Sequence, residues 1–285
     1  MRRKNSLRKK AVNETPAKAA IRKEVFVCAP FPLLKDGGLL EEFITRGIQP
    51  EIGLEGDCLY NTSVDGFQEI AAALAAHDLA CTLHAPFYDL SPGAADRQIA
   101  TATRDKLARA FALVPVFSPR SIVCHISYEE NKHGWDRDGW LDRAAGTFAE
   151  LIEMAAENDA PVMLENTYET SPEVHRRLLE KLDSHLARFC LDCGHTLAFA
   201  KTPWQDWLPE LAPWLGQLHL HDNFGDLDAH LGIGQGIFDF PGLFAYLREN
   251  NLRPIATIEP HQHKGLDHSL AFLEKDNFFS PGEKP

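Results

Sequence analysis

The sequence predicts an α/β protein: a single (β/α)8 TIM barrel over residues 24–285, preceded by a short, basic, disordered tail at residues 1–23. Short apolar runs alternate with helical patterns after residue 23, which predicts parallel strands joined by crossover helices. Eight such units fit a closed barrel, which typically needs ~250 residues. The segment after the first strand, CAPFPLLKDGG, lacks the GxGxxG turn of a dinucleotide-binding sheet.

The strands are predicted where four to eight residues are apolar or β-branched and are bounded by proline, glycine or polar residues. We expect strands at 24–29, 50–55, 80–85, 121–126, 161–166, 187–192, 215–221 and 254–259.

Helices are predicted between the strands, because apolar residues recur there at spacings of three and four. In SPEVHRRLLEKL the Ser-Pro pair predicts a helix start with proline at the first helical position. The other helical segments are GLLEEFITRG, GFQEIAAALAAHD, DRQIATATRDKLARAFALV, DGWLDRAAGTFAELIEMAAEND and FPGLFAYLRENN.

The charge is distributed unevenly along the 285 residues. Nine of the 29 basic residues and one of the 41 acidic residues lie in residues 1–23, so the other 20 basic and 40 acidic residues give the body a charge near −20. Such a body repels nucleic-acid phosphates unless cations or a local basic groove reverse the field. The loop GDCLYNTSVDG after the second strand has no lysine or arginine, unlike the loops expected of a DNA-bending enzyme.

A cytoplasmic protein with no membrane partner is expected. The N-terminal stretch lacks the apolar segment of a secretory signal, and no segment approaches the ~20 apolar residues of a membrane span. Cys28, Cys81, Cys124 and Cys190 lie in apolar strand runs, where free cysteine is a small buried hydrophobe. Cys190 and Cys193 form a CxxC without a second pair, which does not favour a zinc site.

Nine residues that could bind metal lie at the ends of predicted strands or in the turns that follow. Imidazoles and carboxylates are unfavourable on a core-facing strand unless they are paired or bind a cation. One strand-end histidine alone is usually structural, but here the pattern recurs on six strands, at the active-site face of such a barrel. We therefore predict a functional metal centre formed by His84, His125, Glu165, Asp192, His195, His219, Asp228, His230 and Glu259.

An inner quartet lies on the last four strands: Glu165, Asp192, His219 and Glu259. Three carboxylates and one imidazole form a hard, oxygen-rich site that suits Mn²⁺, Mg²⁺, Co²⁺ or Zn²⁺.

The other five ligands form an outer set. His84 and His125 come from the two preceding strands, His195 completes a DxxH, and Asp228 and His230 form a DxH after strand seven.

Substrate contacts are predicted for His195, His221 and Trp135, although His221 could instead be a ligand or support one. Trp135 and Trp140 could wall a sugar-sized pocket or pack against helices.

A phosphate would need a cationic partner. The basic residues near predicted strand-end loops, which are otherwise surface residues, are Lys132, Arg137, Lys201 and Lys264.

From about residue 24 to 260 the chain resembles the xylose isomerase-like TIM barrel superfamily. The motifs that match are LHAPF, VCHIS, LENT, CLDCGH, LHLHDN, DAH followed by LGIGQG, and IEP. This superfamily contains sugar (phosphate) isomerases and epimerases and the endonuclease IV-type apurinic endonucleases, also called AP endonuclease family 2.

In the endonuclease branch the resemblance implies three zinc ions. His84, His125 and Glu165 would hold the first, and Glu165 would bridge to a second held with Asp192, His219 and Glu259. The third would be held by His195, Asp228 and His230. In the isomerase branch the quartet holds one divalent metal, Glu165 and Glu259 move the proton, and His195 contacts the substrate.

Two chemistries therefore compete. The favoured one is a metal-dependent sugar (phosphate) isomerase or epimerase with one to three Zn²⁺ or Mn²⁺ ions and a small sugar-type substrate, as relatives with nine ligands and short loops are usually described. The alternative is a multinuclear zinc phosphodiester hydrolase, which the complete ligand set favours but the acidic body opposes. A non-catalytic metal-binding barrel is the third possibility. Nucleic acid as a partner stays possible, and the oligomeric state is open.

Overall fold

Eight parallel strands form a closed barrel in which each strand pairs with the next and β8 pairs with β1. The computed structural model describes residues 21, 23–260 and 262–276. The predicted (β/α)8 barrel is confirmed. Strands β1 to β8 are Val25–Pro30, Gln49–Gly53, Thr82–His84, Ile122–His125, Val162–Glu165, Ala187–Asp192, Leu215–Leu220 and Ile255–Ile258.

Seven helices of eight or more residues in the described ranges surround the barrel. Helices α1 to α7 are Leu39–Arg46, Val64–Ala75, Arg97–Phe111, Arg137–Ala156, Glu173–Leu182, Phe240–Glu249 and His263–Asp276. Shorter helical segments are Phe31–Asp36, Cys58–Asn61, Val114–Phe117, Glu130–His133, Gly134–Asp136, Cys193–His195, Thr196–Ala200, Trp204–Asp206, Leu208–Leu211 and Ala212–Trp214.

Side-chain caps explain where several helices begin. Ser63 precedes α2, Asp96 precedes α3 and Asp239 precedes α6, and each side chain accepts a backbone amide of the first turn. The proline expected at the first helical position of α5 lies one residue earlier, at the N-cap position. Pro172 lies just before the helix, which begins at Glu173.

The sixth β/α unit has no long crossover helix. A π-helical turn at Thr196–Ala200 is followed by 3-10 and α-helical turns up to Trp214. Pro203, Pro209 and Pro213 lie in this stretch, and proline interrupts a helix because it lacks the amide donor and clashes with the preceding turn.

The site lies above a small apolar cluster inside the barrel. Val123, Met163 and Cys190 pack together there, separately from the larger core between strands and helices. Two residues further along the same strands come His125, Glu165 and Asp192. Strand periodicity therefore directs these polar side chains into the barrel at its C-terminal end.

Three observations concern the expectations about the tail, the cysteines and the membrane. Residues 1–20 and 22 of the predicted disordered tail lie outside the described residues, while Ile21 is buried in the core. All six cysteines are free. Within the described ranges, no helix has both the length and the apolarity needed to cross a membrane.

Candidate metal and substrate site

A cavity of about 620 Å³ opens at the C-terminal ends of the strands. Asp192 and His219 lie behind its surface and are fully buried. The other seven predicted ligands line it, so the fold brings the nine residues to one end of the barrel. The lining seven are His84, His125, Glu165, His195, Asp228, His230 and Glu259.

The inner quartet converges on one nitrogen atom. Nδ1 of His219 lies 3.2 Å from Glu165 Oε1, 3.3 Å from Glu259 Oε1 and 3.8 Å from Asp192 Oδ2. Barrel register produces this arrangement, because Asp192 on β6 is directly opposite His219 on β7. Three carboxylates and one imidazole thus face a common point, which fits a divalent cation.

Glu165 connects the quartet to the next pair of histidines. Its Oε2 lies 3.2 Å from His84 Nε2 and 3.0 Å from His125 Nε2, while its Oε1 faces His219. His125 is directly opposite Glu165 in the β4–β5 register. The two oxygens of one buried carboxylate therefore face two different groups of donors.

Two candidate ligands of the outer set, His195 and His230, meet at Asp228. Its Oδ2 lies 3.4 Å from His195 Nε2 and 3.1 Å from His230 Nε2. His230 has a left-handed backbone with φ of 45°, which is uncommon for a residue with a side chain and is found mostly at functional sites and turns. The two imidazoles therefore face the same oxygen of Asp228.

Backbone carbonyls orient three of the imidazoles. The Nδ1 atoms of His84, His195 and His230 lie 2.9, 2.8 and 2.9 Å from carbonyl oxygens. A nitrogen that faces a carbonyl must carry the ring proton, so Nε2 of the neutral ring offers its lone pair to the site.

The buried carboxylates require positive charge. Burial lowers the pKa of His84, but Glu165 raises it more, to about 9. Burial also lowers the pKa of His195, but Asp192 and Asp228 raise it more, to about 10. Burial raises the pKa of Glu165, yet the neighbouring imidazoles hold it well below its usual value. Without metal, protonated histidines supply this charge, and a bound cation would replace those protons.

His221 supports Asp192. Its Nε2 lies 3.0 Å from both Asp192 oxygens, and its ring stacks on His230 at 3.9 Å. A Cβ at Gly194 would lie 2.0 Å from the His221 ring, so the glycine of CLDCGH makes room for it. His221 does not line the cavity, and its predicted contact with substrate stays a prediction.

The predicted tryptophans lie away from the cavity. Trp135 is 80% exposed and its indole N–H donates to the Lys132 carbonyl, which gives no support to substrate contact. Trp140 is buried in α4 against Tyr128, the helix-packing alternative.

The predicted basic residues have other partners or positions. Lys132 pairs with Glu129, and Arg137 pairs with Glu130 and Glu173. Among the described residues that line the cavity there is no lysine or arginine.

Aromatic rings form the outer walls. Phe87 stacks on His125 with 4.3 Å between ring centroids and also contacts Tyr88. Tyr168 and Phe199 contact each other at 5.0 Å. Since all four aromatic residues line the cavity, carboxylates and imidazoles line its inner end and rings line its sides.

Three buried carboxylates near the site were missed from the sequence. Glu51 lies on β2 with its Oε1 3.0 Å from His219 Nε2. Glu169 accepts amides of the loops after β4 and β5, and burial raises its pKa to about 7. Asp222 accepts amides of the loop after β7. Of these three, only Glu51 could have been found from the sequence, because it is a carboxylate inside an apolar strand segment.

Comparisons with known proteins agree with the fold. The sequence model of the xylose isomerase-like TIM barrel family matches residues 47–276. Two uncharacterized proteins of Methanocaldococcus jannaschii are each 26% identical to the chain over 64% and 76% of its length. These alignments span 65% and 82% of the two relatives.

Two solved structures are also similar. A D-tagatose 3-epimerase-like protein superposes with a TM-score of 0.77 at 21% identity, covering 88% of this chain and 96% of that one. A Thermus thermophilus protein, whose crystal was soaked with ZnCl₂, superposes with a TM-score of 0.74 at 25% identity, covering 89% and 97%.

Proposed function

Because the chain belongs to the xylose isomerase-like TIM barrel family, we propose that it is a divalent-metal-dependent sugar isomerase or epimerase. One observation carries this proposal: Glu165 and Glu259 converge with Asp192 on His219 Nδ1 at the inner end of a cavity of sugar-binding size. That arrangement combines ligands for a cation with two carboxylates that reach the cavity.

The quartet of Glu165, Asp192, His219 and Glu259 would hold the principal Zn²⁺ or Mn²⁺ ion. When bound, such an ion polarises a substrate carbonyl as a Lewis acid. The outer set extends the capacity of the site to as many as three ions.

Glu165 and Glu259 would act as the two bases. Isomerisation and epimerisation require a proton to leave a carbon next to a carbonyl and to return at a different position or face. The two carboxylates approach His219 Nδ1 from β5 and from the end of β8, so they flank the position of a bound carbonyl. His195 lines the cavity beside them and would contact a substrate hydroxyl.

The walls support a neutral polyol as the substrate class. Phe87, Tyr88, Tyr168 and Phe199 offer flat surfaces on which the C–H faces of a sugar pack. The carboxylates at the inner end repel a phosphate unless metal charge compensates. The similarity to a D-tagatose 3-epimerase-like protein supports a ketose.

The proposal is tested by incubating zinc- and manganese-loaded protein with ketoses in D₂O and following epimerisation and deuterium uptake by NMR. Wild-type protein should epimerise the ketose with deuterium uptake next to the carbonyl, and Glu259→Gln should lose epimerisation by at least about 100-fold. Glu153→Gln, the same change at an exposed glutamate of α4, should behave as wild type. Undiminished epimerisation by Glu259→Gln would refute the two-base mechanism.

The bridging position of Glu165 favours one alternative, an endonuclease IV-like zinc phosphodiester hydrolase. Its two oxygens face separate donor groups, an arrangement that suits several metal ions clamping one phosphate. Three zinc ions per chain together with cleavage of DNA at apurinic sites, and no deuterium exchange into ketoses, would establish that alternative. Bound metal with neither activity would instead indicate a non-catalytic barrel.

A further inference from the structure

Glu51 is a carboxylate with no solvent exposure in the middle of the barrel. Its Oε2 is 2.8 Å from Thr82 Oγ1, 2.6 Å from Gln217 Nε2 and 3.0 Å from Thr257 Oγ1. Side chains of three strands, β3, β7 and β8, thus direct donors at one oxygen. Burial of such a charge is very unfavourable unless hydrogen-bond donors or opposite charges compensate it.

The hydrogen bonds of this network run in one direction, from Ser121 through Gln217 to Glu51. The Ser121 hydroxyl lies 2.6 Å from Gln217 Oε1 and donates to it. The amide oxygen of Gln217 is thereby engaged, and its NH₂ group must face Glu51. Because the Gln217 amide cannot accept there, Oε2 of Glu51 is the acceptor. Three donors on this oxygen favour the ionised carboxylate, in which Oε1 accepts as well.

The other oxygen of Glu51 faces a metal ligand. Oε1 lies 3.0 Å from His219 Nε2, on the opposite side of the ring from the nitrogen that faces Glu165 and Glu259. An accepting carboxylate at this distance requires the proton of the neutral imidazole to be on Nε2. The lone pair is then on Nδ1, at the centre of the quartet.

We propose that Glu51 is a positioning residue that holds His219 as the Nε2–H tautomer and so presents Nδ1 to the metal ion. The inference rests on the proposed metal centre. Carboxylates behind metal-bound histidines set the ring orientation and increase its basicity. Gln217 Nε2 lies farther from His219 Nε2, at 3.5 Å.

Glu51→Gln is the informative variant. The three donors at the Oε2 position favour the glutamine carbonyl there, which turns the new NH₂ group toward His219 Nε2. That contact forces Nε2 to accept and moves the ring proton to Nδ1, where it blocks coordination. Thr257→Val is the matched control, because it removes one donor to Glu51 and leaves the Glu51–His219 contact in place.

Zinc affinity, measured by competition with a chromophoric chelator, tests the proposal. Glu51→Gln should bind the inner zinc ion about 10- to 100-fold more weakly than wild type. Thr257→Val should stay within about threefold of wild type, even if hydrogen-bond loss lowers its thermal stability. Equal zinc affinity in Glu51→Gln and wild type, or equal weakening in both variants, would overturn the assignment.

A second measurement needs no variant and therefore stands if Glu51→Gln does not fold. Two-bond ¹H–¹⁵N correlation spectra of the zinc-loaded wild type should show His219 protonated at Nε2 and metal-bound at Nδ1. Coordination through Nε2 would overturn the role of Glu51 while leaving the proposed function intact. Failure of the wild type to bind zinc or manganese at all would overturn both proposals.

Discussion

The Asp222 carboxylate accepts a hydrogen bond of 2.8 Å from the amide of Gly236, which follows Asp228 and His230 in the loop after β7. It also accepts the amides of Gly234 and of two other residues of that loop, at 2.9 to 3.1 Å. One buried carboxylate thus holds the two ends of the loop after β7 together through backbone hydrogen bonds. Two of the glycine amides of LGIGQG, those of Gly234 and Gly236, therefore donate to a side chain of the protein itself.

Gly236→Ala should disrupt this loop. An added Cβ would lie 2.2 Å from the Asn223 carbonyl oxygen and 2.4 Å from Asp222 Oδ1, so the backbone must move and the outer ligands with it. We expect a loss of about 1–3 kcal/mol in unfolding free energy and weaker binding of the outer metal ion. Chemical denaturation and zinc titration measure the two effects. In the control Gly146→Ala, the nearest atom to the new Cβ lies 3.8 Å away, and stability should hold or rise.

Removal of metal should lower stability, because the described site buries Glu51, Glu165, Asp192 and Glu259 within a few ångströms of His219. A ligand that binds only the folded state at 100 times its Kd stabilises by about 2.7 kcal/mol. Chelator treatment at neutral pH should therefore lower the melting temperature, and stoichiometric zinc should restore it. An unchanged melting temperature would argue against metal binding at this site.

The convergence of the nine candidate residues was predictable because a closed parallel barrel places all C-terminal strand ends on one face. What each side chain does there depends on geometry that spacing does not reveal. His219 and His221 lie two residues apart on one strand, yet the first faces the quartet and the second supports Asp192. The direction of Trp135 depends on the conformation of its loop, and the role of Glu51 requires knowing that its side chain reaches residues of β7 and β8 inside the barrel.

Tyr168 should contribute to substrate binding more than to turnover, if the aromatic walls hold the sugar. It lies beside Phe199 on the cavity wall and is 47% exposed, whereas the proposed bases are buried. Tyr168→Ala should raise KM about fivefold or more with little change in kcat, as expected when uniform binding is lost. Tyr168→Phe keeps the ring and should resemble wild type. A fall in kcat at constant KM would place the residue in the chemical step instead.

His175 should make the protein less stable in mild acid. It is fully buried in α5 between Phe189 and Trp207. Burial disfavours its charged form and lowers its pKa from 6.5 to about 4, against a smaller opposing effect of Glu165. Between those values the unfolded chain binds a proton that the folded protein does not. Stability from this group is therefore complete above pH 6.5 and declines as the pH falls toward 4.

Replacement of His175 by leucine removes this titration from the folded core. Relative to the variant, wild type should lose roughly 2–3 kcal/mol of unfolding free energy between pH 7 and pH 4.5. Urea denaturation with chelator present measures the difference without metal release. The exposed His185 is the matched control, because His185→Leu should leave the pH dependence of wild type unchanged. Parallel stability curves for wild type and His175→Leu would show that His175 takes up its proton equally in the folded and unfolded states.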